Sequence, residues 1–497
     1  MGIPSYYKKL IDTVPGLVTK GHPLHDIDWL FMDFNCLIYH CLTDMIDETT
    51  FIDCIITYCL KVIKEVNPKG VFIAIDGVVP MAKMRQQRLR RFKSVWLHKT
   101  STWDKNAITP GTLFMEKLNI RLQDMVSKHE NWILSSSDEP GEGEHKIMAA
   151  WRTGIYKGNY SVYGLDADLI ILSMLGHECC NLDMIWLFRE EINAGKIVCD
   201  SLGNEIFSWF SITILKKWIA NGSRTCILNY CFALSILGND FLPSSLGLKM
   251  RDDGHSELLS VIRSIKPLID PDTLAISFEG VKELFTLLSI NEPGRILTYI
   301  SKKQMFANTC KSELNIGEHN WPLSHIEESI LIQNRQLCPN WQDKYSSFFH
   351  ESIDTICKEY IYGIQWIWAY YTGNDVCFNW YYPYNLPPLW EWISTRISTK
   401  ISLTFPGHIN IRANDIKPIE QLALVLPLES WSLVPPGIER NLPLLAPQYY
   451  PSTFTFDSIG KRYFWECEAN IPIPSIIDIK EIIRNYSNGK ISDISQT

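Results

Sequence analysis

Five apolar runs of strand length punctuate the first half of the chain and limit the folds that it can adopt. They read DWLFMDFN (28–35), GVFIAID (70–76), NWILS (131–135), SVYGLD (161–166) and MIWLF (184–188). Helical stretches such as FIDCIITYCLKVIKEV (51–66) separate them. This alternation predicts an α/β fold with a mainly parallel central sheet and helices on both faces.

Acidic residues cluster around the ends of these runs, where a solvated surface charge is unexpected. The predicted set is Asp33, Asp76, Glu142, Glu144, Asp166, Asp168 and Asp240. The carboxyl ends of parallel strands meet at one edge of an open sheet, so we expect these acids to converge. Buried carboxylates repel one another unless cations neutralise them. Such oxygen ligands predict two Mg²⁺ ions ~4 Å apart, with Mn²⁺ as a substitute, in a site suited to phosphodiester cleavage.

The segment PGEGEH (140–145) places two like charges two positions apart at a predicted helix start. Pro140 and the glycines can begin a helix whose N-terminal amides favour negative charge, so one turn can offer both Glu142 and Glu144 as ligands. A single acid is more often a cap or a turn residue, and Asp138 is interpreted in that way. His145 is interpreted as a satisfied helix residue rather than a ligand, because hard cations prefer oxygen.

The segment MAKMRQQRLRRFK (81–93) holds six basic residues and no acid. The residues that helical spacing puts on one face are Lys83, Gln87, Arg90 and Arg91. That face can bind a terminal phosphate through bidentate and point-charge contacts together, whereas Arg85 and Arg88 lie off it. Such a run alone is more often a solvated surface. Its position just after Asp76 instead places the helix beside the predicted metal site.

The remaining segments carry weaker signals. Residues 251–350 have mixed polarity and predict irregular helices or a linker between a core over 1–250 and a second region over 351–480. The second region has twelve aromatic residues in the 31 positions of 360–390. Those whose helical spacing favours core packing are Tyr362, Trp366 and Tyr370. The tail is predicted to be frayed from 481 or 484 to 497.

Composition and charge narrow the functional classes. The fourteen cysteines show no CxxC pair or finger spacing, which argues against a structural zinc site and predicts reduced thiols. No apolar run reaches the ~18 residues of a membrane span and no signal-peptide stretch is seen, so we expect an intracellular protein without membrane contact. The net charge of −8 argues against a protein that binds polyanions in general. Binding of nucleic acid would therefore depend on local clusters of positive charge.

A series of motifs in matching order resembles the Xrn family of 5′→3′ exoribonucleases. In the first half they are MGIPSYYKKL, FMDFN, AIDGVVPMAKMRQQRLRRF, ITPGTLFM, PGEGEHKIM, YGLDADLIIL and LGNDFLP. In the second half they are YIYGIQWIWAYYTG, FNWYYPYNLPP, QLALVLPLESWSLVPP and APQYYPSTFTFD. The likeness spans most of 1–250 and 351–470. It implies a core similar to PIN and flap nucleases, with the active site closed by a helical, aromatic-rich second region.

The resemblance implies Mg²⁺-dependent, processive hydrolysis of single-stranded RNA from a 5′ monophosphate, with release of nucleoside 5′-monophosphates, and thus a role in RNA and mRNA decay. The family's seven metal-site acids and four phosphate-pocket residues fall on the two sets given above. Its base-stacking clamp is implied for Tyr39, where the family usually has a histidine, for the adjacent His40, and for Trp380. The paired histidines of the family are replaced by Tyr384 and Asn385.

Two departures from the family pattern also bear on function. Only fifteen residues (93–107) separate Phe92 from ITPGT, fewer than the family's projecting helical tower uses. The sequence also stops soon after the second region, without the family's further C-terminal domains. This compactness resembles versions from reduced genomes or large DNA viruses. We expect a monomer and favour the cytoplasm over the nucleus, which for a viral protein would be the host cytoplasm.

Several alternatives stay open. A protein activator is compatible with everything in the sequence. A 5′ flap or DNA exonuclease of the related fold is one rival, although such proteins are not expected to carry the second region. A non-catalytic RNA 5′-end binder is another, and the intact set of seven acids argues against it.

Overall fold

The computed structural model describes most of the chain. The described residues are 3, 5–42, 47–97, 103–164, 166–180, 182–193, 196–220, 223–309, 323, 325–397 and 411–487. None of the helices formed by these residues is long and apolar enough to cross a membrane.

A seven-stranded sheet lies at the centre of the fold. Its strands are β1 (Val18–Thr19), β2 (Trp29–Asp33), β3 (Gly70–Ala74), β4 (Trp132–Ser135), β5 (Tyr160–Tyr163), β6 (Ile185–Glu190) and β9 (Phe207–Ser211). Their spatial order is β4-β3-β2-β5-β6-β9-β1, and the five strands from β2 to β6 run parallel. All five predicted strands are therefore confirmed. The pattern missed β1 and β9, which pair antiparallel with their neighbours at one edge.

The described residues also form three two-stranded hairpins outside this sheet. They are β7 (Ile192–Asn193) with β8 (Lys196–Ile197), β10 (Ile332–Gln333) with β11 (Gln336–Leu337), and β12 (Thr455–Asp457) with β13 (Glu468–Asn470). The last hairpin packs against the basic helix that follows β3.

Helices cover both faces of the sheet, as the sequence predicts. In the first half they are α1 (Tyr6–Thr13), α2 (Phe34–His40), α3 (Glu48–Val66), α4 (Met81–Trp96), α5 (Leu113–Val126), α6 (Gly143–Arg152), α7 (Asp168–Cys179), α8 (Ile212–Ala220) and α9 (Arg224–Ala233). Successive residues of a strand point to opposite faces. Leu30 and Met32 of β2 accordingly pack with α2, α3 and α5, whereas Phe31 packs with α6 and α7.

The segment 251–350 differs from its prediction as irregular helices or a linker. It contains α10 (Gly254–Ile262) and the 32-residue α11 (Phe278–Thr309), which runs through Pro293. Proline and glycine inside NEPGR normally indicate a helix end. Here Leu284, Phe285 and Leu288 are buried in the main core, and such burial can stabilise a helix that the local sequence disfavours.

The second region is mainly helical. Its helices are α12 (Trp341–Ser346), α13 (Ile353–Thr372), α14 (Trp390–Arg396), α15 (Pro418–Val425), α16 (Leu442–Leu445) and α17 (Ile476–Ser487). Tyr362, Trp366 and Tyr370 of α13 are buried, which confirms the prediction from their spacing. The prediction of a frayed tail is wrong up to Ser487, where α17 ends, and the rest of that prediction lies outside the described residues.

The second region packs directly on α4. Met81 donates its backbone N–H to the Phe378 carbonyl at 2.7 Å. Arg88 is buried and donates to the carbonyls of Leu424, Pro472 and Tyr449. Arg88 therefore joins α4 to the second region, which agrees with its predicted place off the phosphate face.

A buried ion pair connects α11 to the C-terminal part of the chain. Lys303 Nζ lies 2.8 Å and 3.0 Å from the two Glu328 carboxylate oxygens and donates to the Ser458 carbonyl. The side chains are 1% and 0% exposed. Removing one partner of such a pair leaves a buried, uncompensated charge.

We expect Lys303→Met to lower the free energy of unfolding by about 3–5 kcal/mol, measured by denaturant titration. The double variant Lys303→Met/Glu328→Gln should recover part of this loss, because no charge is then left unpaired. Lys266→Met is the matched control, since its pair with Glu279 is exposed and should contribute little to stability. Equal losses in both single variants would contradict the prediction.

Candidate active site

The predicted acids lie at the carboxyl ends of the parallel strands. After β2 the chain extends the sheet on one side through β3 and β4, and it then returns to the other side through β5 and β6. The crevice at such a reversal of strand order is the usual ligand site of open α/β sheets. Asp33 is the last residue of β2, Asp76 follows β3 by two residues, and Asp166 follows β5 by three.

The glutamates of PGEGEH occupy the start of α6. Glu142 is its N-cap residue and Glu144 lies in its first turn, as the sequence predicts. Between them, the Gly143 N–H donates to Asp76 Oδ1 at 2.7 Å. A Cβ at position 143 would lie 2.6 Å from Asp33 Oδ1 and 2.9 Å from the Ala74 carbonyl oxygen. Glycine is thus required here because the turn packs directly against two strand ends.

The last two acids come from a helix start and from a turn. Asp168 begins α7 and is buried. Asp240 lies in a turn whose Asn239 side chain accepts the backbone N–H groups of Phe241 and Leu242, both at 2.9 Å. This turn presents Asp240 to the same crevice, since Lys83 reaches both Asp240 and Glu142.

Burial and mutual repulsion raise the pKa of several of the acids. Burial, followed by the charges of Asp76 and Asp166, raises the pKa of Asp33 well above its usual value. Burial and Glu142 likewise raise the pKa of Glu144. Burial and Asp240 raise the pKa of Asp168 to about 7. Such shifts mark a site that is unfavourable for so many charges unless cations accompany them.

Lys83 supplies a cation from within the chain. Its Nζ lies 2.7 Å from Glu142 Oε2 and 2.8 Å from Asp240 Oδ2. Although burial favours the neutral amine, Asp240 and Glu142 raise the pKa of Lys83 well above its usual value. Burial also favours a neutral Asp240, but Lys83 lowers the pKa of that carboxyl to about 2. In this structure the Lys83 ammonium therefore contacts the acids, although the sequence predicts a phosphate contact.

The second region reaches the acids through Tyr370. The Tyr370 hydroxyl donates to Glu142 Oε1 at 3.0 Å, and its ring stacks on His145 with centroids 3.7 Å apart. The ring of Trp366 also stacks on that of Tyr370, with centroids 5.0 Å apart. The helical spacing of Tyr370 predicts a core residue and does not predict this contact. No signal in the sequence distinguishes it from other buried aromatic residues of α13.

The donor set fits a divalent cation. The described acids offer carboxylate oxygens, which hard cations prefer, and Asp168 Oδ1 is buried without a hydrogen-bond partner among the described residues. Ligand atoms of Glu142, Glu144 and His145 lie within 4.8 Å of one another. His145 Nε2 is also buried and lacks a partner in the described part of the chain, so its interpretation as a satisfied residue is wrong.

The predicted phosphate face of α4 divides into three environments. Arg90 is exposed, and Lys83 contacts the acids. Gln87 and Arg91 are buried, and the structure as described gives no hydrogen-bond partner to Gln87 Oε1 or Arg91 Nη1. Burial lowers the pKa of Arg91 to about 10. A buried guanidinium with an unsatisfied N–H is suited to an anion.

The predicted base-stacking residues have different surroundings. Tyr39 is 41% exposed, and its interaction with Arg91 partly opposes the lowering of the Arg91 pKa by burial. His40 does not join it, because its ring stacks on Tyr58 at 4.1 Å and its Nε2 lies 3.2 Å from a Glu205 carboxylate oxygen. A stacking role for His40 is therefore not supported by its position.

Trp380 does not form the predicted second side of the clamp. It is 0% exposed, and its Nε1 donates to Glu359 Oε2 at 3.2 Å. The rings of Tyr362 and Trp366 pack against it, with centroids 5.6 Å and 5.1 Å away. No face of this ring is open to a nucleobase, because the aromatic core of α13 encloses it.

Comparisons with known proteins agree with this architecture. Residues 1–191 match the family model described as the XRN 5'-3' exonuclease N-terminus, and residues 341–487 match the one described as the Xrn1 helical domain. Curated relatives include human 5'-3' exoribonuclease 1, 28% identical over 97% of this chain and 34% of the relative. The protein of that name from Schizosaccharomyces pombe is 22% identical over 95% of this chain and 47% of the relative.

A relative named exoribonuclease 2 also matches almost the whole chain. The 5'-3' exoribonuclease 2 of Candida albicans is 22% identical over 97% of this chain and 72% of the relative. The chain spans about a third to a half of the length of the exoribonuclease 1 relatives. Two family models in the expected order, and relatives that match almost the whole chain, show that this chain belongs to the Xrn family.

Proposed function

We propose that this protein is a processive 5′→3′ exoribonuclease that hydrolyses RNA bearing a 5′ monophosphate. The observation that carries the proposal is the buried cluster of strand-end acids, contacted by Lys83 of α4, together with the buried Arg91 of the same helix, whose Nη1 has no hydrogen-bond partner among the described residues. The first set can hold cations and the second can hold a phosphate. The names of the curated relatives, 5'-3' exoribonuclease 1 and 2, support the same reaction.

The seven acids would hold two divalent cations, with Mg²⁺ the expected ion. When bound, these ions supply an activated water and stabilise the leaving oxygen of the scissile phosphodiester. The chain's own residues fix the ligands: the Gly143 N–H holds Asp76, and the Tyr370 hydroxyl holds Glu142. If bound cations neutralise the acids, the Lys83 ammonium is no longer needed to balance the charge of Glu142 and Asp240. It can then turn to the phosphate that the sequence predicts as its ligand.

The α4 face would select the 5′ end. Gln87 and Arg91 offer unsatisfied polar atoms in a buried setting, and Arg90 adds an exposed cation. One phosphate can satisfy Arg91 Nη1 by a charge-assisted hydrogen bond and can accept from the Nε2 amide of Gln87. A closed pocket of this kind would reject a cap or a triphosphate by size and charge. Tyr39, exposed beside Arg91, is positioned to stack on the first base.

This arrangement measures the cut from a fixed end. A phosphate held by α4 sets the distance from the 5′ end to the acids, so that the next phosphodiester is cleaved and a nucleoside 5′-monophosphate is released. The shortened new end is again a 5′ monophosphate, which can move into the same pocket. This chemistry is the basis of the proposed processivity.

The central test uses Mg²⁺ and 3′-labelled RNA with a 5′ monophosphate, hydroxyl, triphosphate or cap, together with a DNA of the same sequence. We expect degradation of the monophosphorylated RNA. Asp168→Asn should slow it by at least about 100-fold, because each lost ~1.4 kcal/mol of transition-state stabilisation costs tenfold in rate. Asp138→Asn, an exposed acid of the neighbouring loop, is the matched control and should retain activity.

Two outcomes would contradict the proposal and favour a different function. Faster degradation of DNA than of RNA would favour the 5′ DNA nuclease. End binding that is independent of Mg²⁺ and leads to no cleavage would favour a non-catalytic 5′-end binder.

A second prediction concerns the 5′ phosphate. Arg91→Met should reduce the preference for monophosphate over hydroxyl ends by about 10-fold to 100-fold, because it removes charge-assisted hydrogen bonds. The preference is measured as the ratio of kcat/KM for the two RNAs. Arg121→Met is the control, since Arg121 pairs with Asp53 on an exposed surface. An unchanged ratio would show that Arg91 does not contact the phosphate.

A third prediction concerns Tyr370 as a positioning residue. Tyr370→Phe keeps the ring that stacks on His145 but removes the hydrogen bond to Glu142. We expect the affinity for Mn²⁺, measured by electron paramagnetic resonance, to fall by about 10-fold, as for other residues that hold a metal ligand. Tyr362→Phe, in the same helix, should leave this affinity unchanged. Equal affinities in both variants would contradict the prediction.

A further inference from the structure

A cavity of about 240 Å³ lies beside the acids and takes no part in the proposed mechanism. Its walls come from the turn and loop over 237–252, the segment over 460–468, residues 85 and 86 of α4, Tyr299 of α11, and Tyr382, Tyr384 and Asn385. Asp240 belongs both to this wall and to the acid cluster. The cavity therefore begins where the proposed cleavage takes place.

Five cations and four carboxylates line the cavity. The carboxylates are Asp240, Asp252, Glu466 and Glu468, and the cations are Arg85, Lys249, Arg251, Lys461 and Arg462. Glu468 lies 3.5 Å from Arg85 and 4.0 Å from Lys461. Arg462 pairs with Asp252 at 2.6 Å and Arg251 pairs with Glu466 at 3.0 Å. Lys249 differs from them, because its Nζ donates to Ser244 Oγ and to the Gly460 carbonyl and forms no ion pair with the described carboxylates. Burial, with a contribution from Lys461, lowers the pKa of Lys249 to about 8. A phosphate beside Lys249 would supply the missing negative charge.

Aromatic rings and unsatisfied polar atoms line the same walls. Lys249 Nζ lies 5.0 Å from the ring centre of Tyr299, and the Arg251 guanidinium lies 4.7 Å from that of Trp465. Tyr299 Oη, Arg462 Nε and Gln86 Oε1 are buried without a hydrogen-bond partner in the part of the chain that the structure describes. Three such atoms around one cavity are unusual, since buried polar groups are nearly always paired.

We propose that this cavity binds the nucleoside 5′-monophosphate that leaves the active site. The inference rests on the proposed exonuclease function and gives the released product a binding site. Lys249 and Arg462 would bind the phosphate, and Trp465 offers a ring on which a base can stack. The size favours a single nucleotide over a chain, because the cavity is smaller than the ~300–1,000 Å³ of ordinary ligand pockets.

The site is separate from the predicted 5′-phosphate pocket. That pocket uses Gln87 and Arg91, neither of which lines the cavity. The two can therefore be tested apart. Adenosine 5′-monophosphate is the probe, with adenosine and inorganic phosphate as partial ligands, and binding to the full chain is measured by calorimetry and by tryptophan fluorescence.

We expect Lys249→Met to weaken binding of adenosine 5′-monophosphate by about 10-fold or more, because a charge-assisted hydrogen bond is lost. Lys249→Arg should retain most of the affinity, which separates loss of charge from misfolding. Trp465→Leu should weaken the nucleotide but not inorganic phosphate. Lys128→Met, which removes an exposed lysine paired with Asp124, is the matched control and should bind normally.

Two results would overturn the proposal. Unchanged affinity in Lys249→Met, or an affinity that falls in Arg91→Met instead, would place the nucleotide in the 5′-phosphate pocket. The RNA assay separates this failure from that of the exonuclease itself. If the protein degrades RNA but binds no nucleotide in this cavity, the proposed exonuclease function stands and the proposed product site does not. If the protein binds the nucleotide in this cavity but degrades no RNA, the nucleotide can no longer be assigned as the product of the enzyme.

Discussion

The repulsion among buried carboxylates is the constraint on which the rest of the structure depends. Acids such as Asp33, Glu144 and Asp168 have raised pKa values because they share one small, desolvated space. An internal cation, Lys83, offsets part of this repulsion by contacting Glu142 and Asp240. Lys83 contacts only these two of the described acids, and the raised pKa values of the others reflect repulsion that remains, which is the physical reason to expect divalent cations.

The position of Lys83 makes α4 the connection between the two halves of the site. The helix carries Lys83 into the acids, holds Arg91 in a buried and unsatisfied position, and is fixed to the second region by Arg88. Tyr370 of the second region in turn holds Glu142. The acids and the phosphate face are thus held by contacts from both regions, so neither region alone contains the whole arrangement.

Much of this arrangement could be predicted from the sequence. Apolar runs of strand length were enough to place the parallel strands, and several of them end in an acid, which predicts that Asp33, Asp76 and Asp166 lie at one edge, because parallel strands expose their carboxyl ends there. The spacing of α4 also separated Arg88 from the phosphate face correctly. Local pattern failed for α11, where NEPGR suggested a break but burial against the main core accompanies a continuous helix.

The sequence by itself determined which chemical groups are present, where the sheet ends lie and which family the chain resembles, since these follow from local periodicity and motif order. Only the tertiary structure decided how the groups are used. It buried Trp380 beneath other aromatic rings, turned His40 towards Glu205, and put Lys83 among the acids. These outcomes depend on packing and on electrostatic interactions between residues distant in the chain, and a pattern of neighbouring residues carries no information about such contacts.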